Sequence, residues 1–128
     1  MPPCVPYQKW YNYSMHKDMR LAVVFYRTEA GREPVREWLR GFSRSDKVAI
    51  GGDIKTVQYG WPLGMPVVRK LDDGLWECRS RLADGIARII FTVVGDSMIL
   101  LHGFVKKSQK TPRTDLATAK RRKTKLEQ

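Results

Sequence analysis

The chain has 128 residues, 42% of them hydrophobic, and its 24 lysines and arginines against 13 acids leave a formal net charge of +11. That length bounds one domain with a modest core, and the apolar content argues against wholesale disorder. No apolar run approaches the ~20 residues of a membrane span, and the two cysteines, Cys4 and Cys78, have neither CxxC nor other metal-ligand spacing.

Residues 1–18 carry three prolines and four aromatic residues without a helical or alternating period. They are expected to form an irregular N-terminal extension, with the folded domain spanning 19–128 and Met19 an alternative start. The extension lacks the cationic start and apolar core of a signal peptide. A soluble protein of the reducing cytoplasm, without a membrane partner, is therefore expected.

Leu21-Ala-Val-Val-Phe-Tyr26 is apolar, β-branched and aromatic, and reads as a strand. Pro34 suits the first turn of a helix whose apolar residues Val35, Trp38, Leu39 and Phe42 follow at i, i+3, i+4 and i+7. Ser45-Asp46 is read as the cap of a second helix with the stripe Ile50, Ile54 and Val57, closed by Gly60-Trp-Pro62. Gly51-Gly52 inside it costs about 1 kcal/mol per glycine relative to alanine, so this helix must lean on tertiary packing.

Val67–Leu71 is a short strand or an extended approach. Leu75–Leu82, Ile86–Val94 and Ser97–Val105 then form three strands joined by Asp-Gly or Gly-Asp turns, an antiparallel meander. Thr111-Pro112 opens a C-terminal helix with a thin stripe of Leu116, Ala119 and Leu126. The fold class expected is α+β: strand, two helices, three-strand meander, helix.

The positive charge is uneven. Residues 106–128 hold nine basic residues against Asp115 and Glu127, leaving +7 in the last fifth of the chain. Such asymmetry points to a polyanionic partner, with a solubilising tail as the bland alternative. Lys106, Lys107 and Lys110 stand at the end of an apolar strand, so a rigid element holds them together. On the meander, Arg79 and Arg81 share one strand face. A four-residue loop would set Arg81 opposite Arg88, and a three-residue loop would turn Arg88 to the other face. No compensating acid is evident beside these arginines, which favours a visiting anion. Solvated strand arginines are the bland reading.

His102 is the one histidine inside a predicted element. Alternation groups it with Met98, Leu100 and Phe104, so a satisfied core histidine is weighed above a general base. Trp76 and Phe91 read as core residues. Tyr26, Tyr59 and Trp61 are candidates for base stacking, though packing is the commoner role. No phosphate loop, paired-carboxylate site, nucleophile elbow or metal motif is present, so no metal or cofactor is expected. An arginine–lysine inventory suits RNA cleavage, where the 2′-hydroxyl supplies the nucleophile and the protein stabilises the crowded phosphate.

Four segments carry a family resemblance: Val24-Phe-Tyr with Gly31 and Pro34-Val35; Asp53-Ile-Lys-Thr-Val-Gln-Tyr-Gly60; Leu75-Trp-Glu-Cys-Arg79 with Arg88-Ile-Ile-Phe; and Leu101-His-Gly-Phe-Val-Lys-Lys-Ser-Gln-Lys-Thr-Pro112. In order and spacing they resemble the HigB toxins of the phage Gp49-like family, within the RelE/ParE toxin superfamily. Cys78 and Ser80 depart from the bulkier apolar residues usual there.

The resemblance implies a RelE-like fold and the toxin of a type II toxin–antitoxin system, a metal-independent endoribonuclease (mRNA interferase) that cuts mRNA on the ribosome and so inhibits translation. It implies a helix-turn-helix, HigA-like antitoxin as partner, with operator DNA met only through that complex. The residues it assigns to the scissile phosphate are Arg79, Arg81, Arg88, Lys106 and Lys107. Lys110, Arg113, Lys120 and Arg121 are candidates for wider RNA binding, and His102 is the candidate general base. The competing expectation is a non-catalytic, phage-derived module whose basic face holds nucleic acid or an acidic protein.

Overall fold

The computed structural model describes residues 19–106 and 110–127. The expected extension over residues 1–18 lies outside the described residues, as does Lys107.

The elements are β1 (Ala22–Phe25), α1 (Pro34–Arg40), α2 (Arg44–Gly60), β2 (Val68–Asp72), β3 (Leu75–Leu82), β4 (Gly85–Val94), β5 (Ser97–Lys106) and α3 (Arg113–Leu126). They build the expected α+β fold around a five-stranded sheet of order β1-β5-β4-β3-β2. β1 runs parallel to β5, and every other pair is antiparallel. The segment left open as strand or approach is a strand, which lengthens the meander to four. β1 closes its free edge at β5.

The sheet is covered on both faces, which divides its apolar residues into two cores. On one face Val35 of α1 and Ile50, Ile54 and Val57 of α2 pack on Val68, Cys78, Ala87, Ile89, Phe91, Met98 and Leu100. On the other, Ala119 of α3 is buried with Tyr26, Leu75, Ile90, Ile99 and Leu101.

The α2 stripe is where expected. Fully burying one such side chain contributes roughly 1.5–3 kcal/mol, so three outweigh the two exposed glycines Gly51 and Gly52. The cap differs from the expected Ser45-Asp46. The Ser43 hydroxyl accepts the Asp46 N–H at 3.2 Å, so the cap lies two residues earlier and Ser45 and Asp46 belong to the first helical turn. Trp61 follows α2 and meets Trp76 and Phe91 edge-on at 5.0 and 5.6 Å between centroids. It packs there, and Tyr26 is buried in the second core.

β5 breaks its alternation once. Ile90 pairs with His102 but Phe91 pairs with Leu100, so Leu101 is one residue more than β4 can match. Such a bulge re-aims the side chains beyond it. Leu100 enters the first core and Leu101 the second. His102 consequently faces α3, away from the Met98 and Leu100 set with which strict alternation grouped it.

α3 has little apolar surface of its own. Ala119 is buried, Leu116 half-buried and Leu126 exposed, so polar contacts anchor the helix. Arg122 donates to the Leu101 carbonyl at 2.7 Å, its guanidinium 5.7 Å above the Tyr26 ring. Lys120 Nζ lies 2.8 Å from Asp72 on β2. Part of the positive charge of the C-terminal segment is thus structural.

Candidate functional site

The Ala83-Asp84 turn is a two-residue loop, because Leu82 pairs with Gly85, whose φ is 149°. Neither longer loop weighed from the sequence occurs. Arg88 stands opposite Arg79, and Arg81 opposite Ile86. Continued onto β5, this register sets three rows across the α3 face of the sheet: Arg81–Ile86–Lys106, Arg79–Arg88–Phe104 and Glu77–Ile90–His102.

The rows differ in exposure because α3 covers only one end of that face. Arg81 and Lys106 are exposed at the open end. Two strand spacings, about 10 Å, separate their backbones, a gap that two long cationic side chains can close around one phosphate. In the next row Arg79 is 8% exposed and Arg88 has no exposed surface.

Arg88 Nη1 lies 3.7 Å from Glu77 Oε1, and Arg79 Nε lies 3.9 Å from the same oxygen. Glu77 is also fully buried, and the Thr111 hydroxyl donates to its other oxygen at 2.7 Å. Glu77 is therefore the compensating acid that the sequence reading lacked. Burial pushes the Arg88 guanidinium down from its ordinary range. Glu77 opposes that shift, and the neighbouring charges of Arg79 and Arg69 add to it. An arginine stays cationic in this setting, so Arg88 contributes charge through Glu77 and the sheet without presenting itself to a ligand.

In the third row His102 Nε2 is 2.6 Å from Asp115 Oδ1 of α3, and its ring stacks on Phe104 at 5.8 Å between centroids. The carboxylate orients the imidazole, as a proton-moving group requires. His102 stands four residues along β5 from Lys106, about 13 Å at the rise of a strand. It is one row from Arg79 and two from Arg81.

Lys110, Arg113 and Arg121 are exposed, and Lys120 is exposed but engaged with Asp72. The structure thus brings Arg79, Arg81 and Lys106 to one open end, buries Arg88 behind them and sets His102 apart under α3. Sequence reasoning missed Glu77, Thr111, Asp115 and Arg69. The legible signal was Glu77, an acid at the alternation position shared by Arg79 and Arg81. No cluster of His, Cys, Asp or Glu among the described residues is arranged to hold a metal ion. No helix among them is long and apolar enough to cross a membrane.

A family model described as phage-derived protein Gp49-like (DUF891) matches residues 37–124, more than half of the chain. No curated protein matches it.

Proposed function

Because the chain belongs to the Gp49-like phage-derived family, the RelE/HigB-like toxin group, we propose that it is the toxin of a type II toxin–antitoxin system. In this reading it is a cytoplasmic endonuclease that cuts mRNA on the ribosome. The observation that carries the reading is the exposed pair Arg81 and Lys106, held by rigid strands at the open end of the sheet with Arg79 behind them.

The RNA 2′-hydroxyl attacks the adjacent phosphorus and the 5′-oxygen leaves, giving a 2′,3′-cyclic phosphate and a 5′-hydroxyl end. Negative charge accumulates on the non-bridging oxygens as the bond forms. The Arg81 fork and the Lys106 ammonium bind those oxygens more tightly as it does. His102, oriented by Asp115, is the candidate to take or return a proton, provided the RNA chain lies along β5 toward α3. Lys107, Lys110, Arg113 and Arg121 extend the attraction along the RNA backbone, and no step in this scheme requires a metal.

The partner is a helix-turn-helix antitoxin, HigA-like, whose acidic segment would meet the basic surface and associate faster at low salt than at high salt. Operator DNA is met only through that complex. One observation favours the second reading, a non-catalytic module that binds nucleic acid or an acidic protein. Arg88 is buried with Glu77 and His102 stands rows away from Lys106, so fewer groups converge at the open end than a dense active site would hold.

Controlled expression with and without the antitoxin, followed by mapping of mRNA 5′ ends, separates the two. New in-frame ends that disappear in Arg81→Ala and Lys106→Ala variants support the endonuclease. Growth inhibition without cleavage supports the binding module.

A further inference from the structure

Beside the open end of the sheet lies a concavity of about 400 Å³, lined by Asp53 of α2, Met65 and Val67 of the connection to β2, and Arg79, Arg81 and Ile86. Its composition differs from that of the basic surface it adjoins. Met65, Val67 and Ile86 supply apolar walls, and Arg79 Nη1 lies 3.6 Å from the Met65 sulfur, closing one side. Asp53 is half-buried one turn before Val57, where the α2 apolar stripe ends, and among the described residues its carboxylate makes no hydrogen bond or ion pair. An ionised carboxylate only accepts hydrogen bonds, and it repels phosphate. A group of this kind within a cationic RNA surface fits a neutral ligand that brings N–H donors.

We infer that this recess is a nucleobase subsite, selective for guanine through Asp53, at the nucleotide adjoining the phosphate held by Arg81 and Lys106. The inference rests on the RNA-cleaving reading above and adds the base that the site selects. Single-stranded RNA is read by splaying a base out, stacking it on an aromatic or guanidinium plane and bonding its Watson–Crick edge. Here the exposed Arg81 guanidinium and the Ile86 and Val67 walls offer the stacking surfaces, and Asp53 offers the acceptors. Guanine is the one RNA base whose Watson–Crick edge presents two adjacent donors, N1–H and N2–H, that match the two oxygens of one carboxylate. Adenine and cytosine present one amino donor beside a ring acceptor that faces the carboxylate unfavourably. Uracil presents one N–H between two carbonyls.

The test uses the full chain with ribosomes programmed by mRNAs that differ only in the bases of the codon being cut. The expected result is a preference of about tenfold or more for guanine at one fixed position, the discrimination a good bidentate contact gives. In Asp53→Asn the ratio of guanine to non-guanine cleavage falls to near one. Asp53→Ala, a better helix former, repeats the measurement should the amide disturb α2. Equal cleavage of all four bases by the wild-type chain, or a guanine preference kept by both variants, overturns the recess while leaving the endonuclease reading in place. No cleavage of any codon by the wild-type chain overturns the endonuclease reading and the subsite together.

Discussion

Arg88 and Glu77 lie on neighbouring strands with Nη1 3.7 Å from Oε1, and neither side chain has exposed surface. A charged pair of this kind is costly to break, because the survivor stays buried without its partner. Arg88→Ala should therefore lose about 3–5 kcal/mol of stability. Chemical denaturation checks this, and replacing both residues, as in Arg88→Met with Glu77→Leu, should recover most of the loss. An Arg88→Ala protein as stable as the parent would show that Glu77 is satisfied elsewhere. Loss of toxicity in that single variant reads as unfolding before it reads as lost catalysis.

Arg81 and Lys106 make the opposite case. Both are exposed, so Arg81→Ala and Lys106→Ala should unfold at the same denaturant concentration as the parent. Losing a contact made to the transition state typically lowers the rate about a hundred- to a thousandfold, and cleavage on the ribosome should fall by that order. Lys120→Ala should weaken RNA affinity slightly and leave the cleavage step unchanged, since Lys120 is held by Asp72 on the side of α3. Undiminished cleavage in both Arg81→Ala and Lys106→Ala would leave the binding-module reading in possession.

Cys78 is buried under α2, where desolvation first, then the charges of Asp53 and Glu77, push its thiol up from 9.0 to about 12. At pH 8 iodoacetamide should leave the native residue unmodified and label it on unfolding, read peptide by peptide to separate it from Cys4. Between pH 9 and about 12 the unfolded chain releases this proton and the folded one keeps it, so stability falls as pH rises. A Cys78→Ala protein should lack that part of the alkaline decline, and identical slopes in the two proteins would remove the assignment.

Gly103 of β5 lies against the Trp38 indole of α1. A Cβ built there would stand 2.4 Å from Trp38 Cε3, far inside contact distance. Gly103→Ala should cost about 1–3 kcal/mol through displacement of that ring. Trp38→Leu should relieve part of it, and a double-mutant cycle measures the coupling. Additive effects would mean that α1 moves aside freely.

The sequence by itself determined the element types and their order. Apolar spacing placed Val35, Trp38 and Leu39 on one helix and Ile50, Ile54 and Val57 on the next, and Asp-Gly and Gly-Asp pairs marked the meander turns. It also placed a basic set on the meander strands and on the chain beyond them, since those are properties of residues near in sequence. Tertiary structure decided which of those cations meet solvent. A two-residue turn in place of a longer one moved Arg88 from Arg81 to Arg79, and a single extra residue at Leu101 turned His102 toward α3. Strand side chains alternate with period two, so a shift of one residue exchanges the faces, and no local signal in the chain records the register. Glu77 became the partner of Arg88 through the β3–β4 register. Asp53 came to line one recess with Arg81 because α2 meets the meander across a long stretch of sequence, where packing of the first apolar core sets the geometry and the polar residues follow.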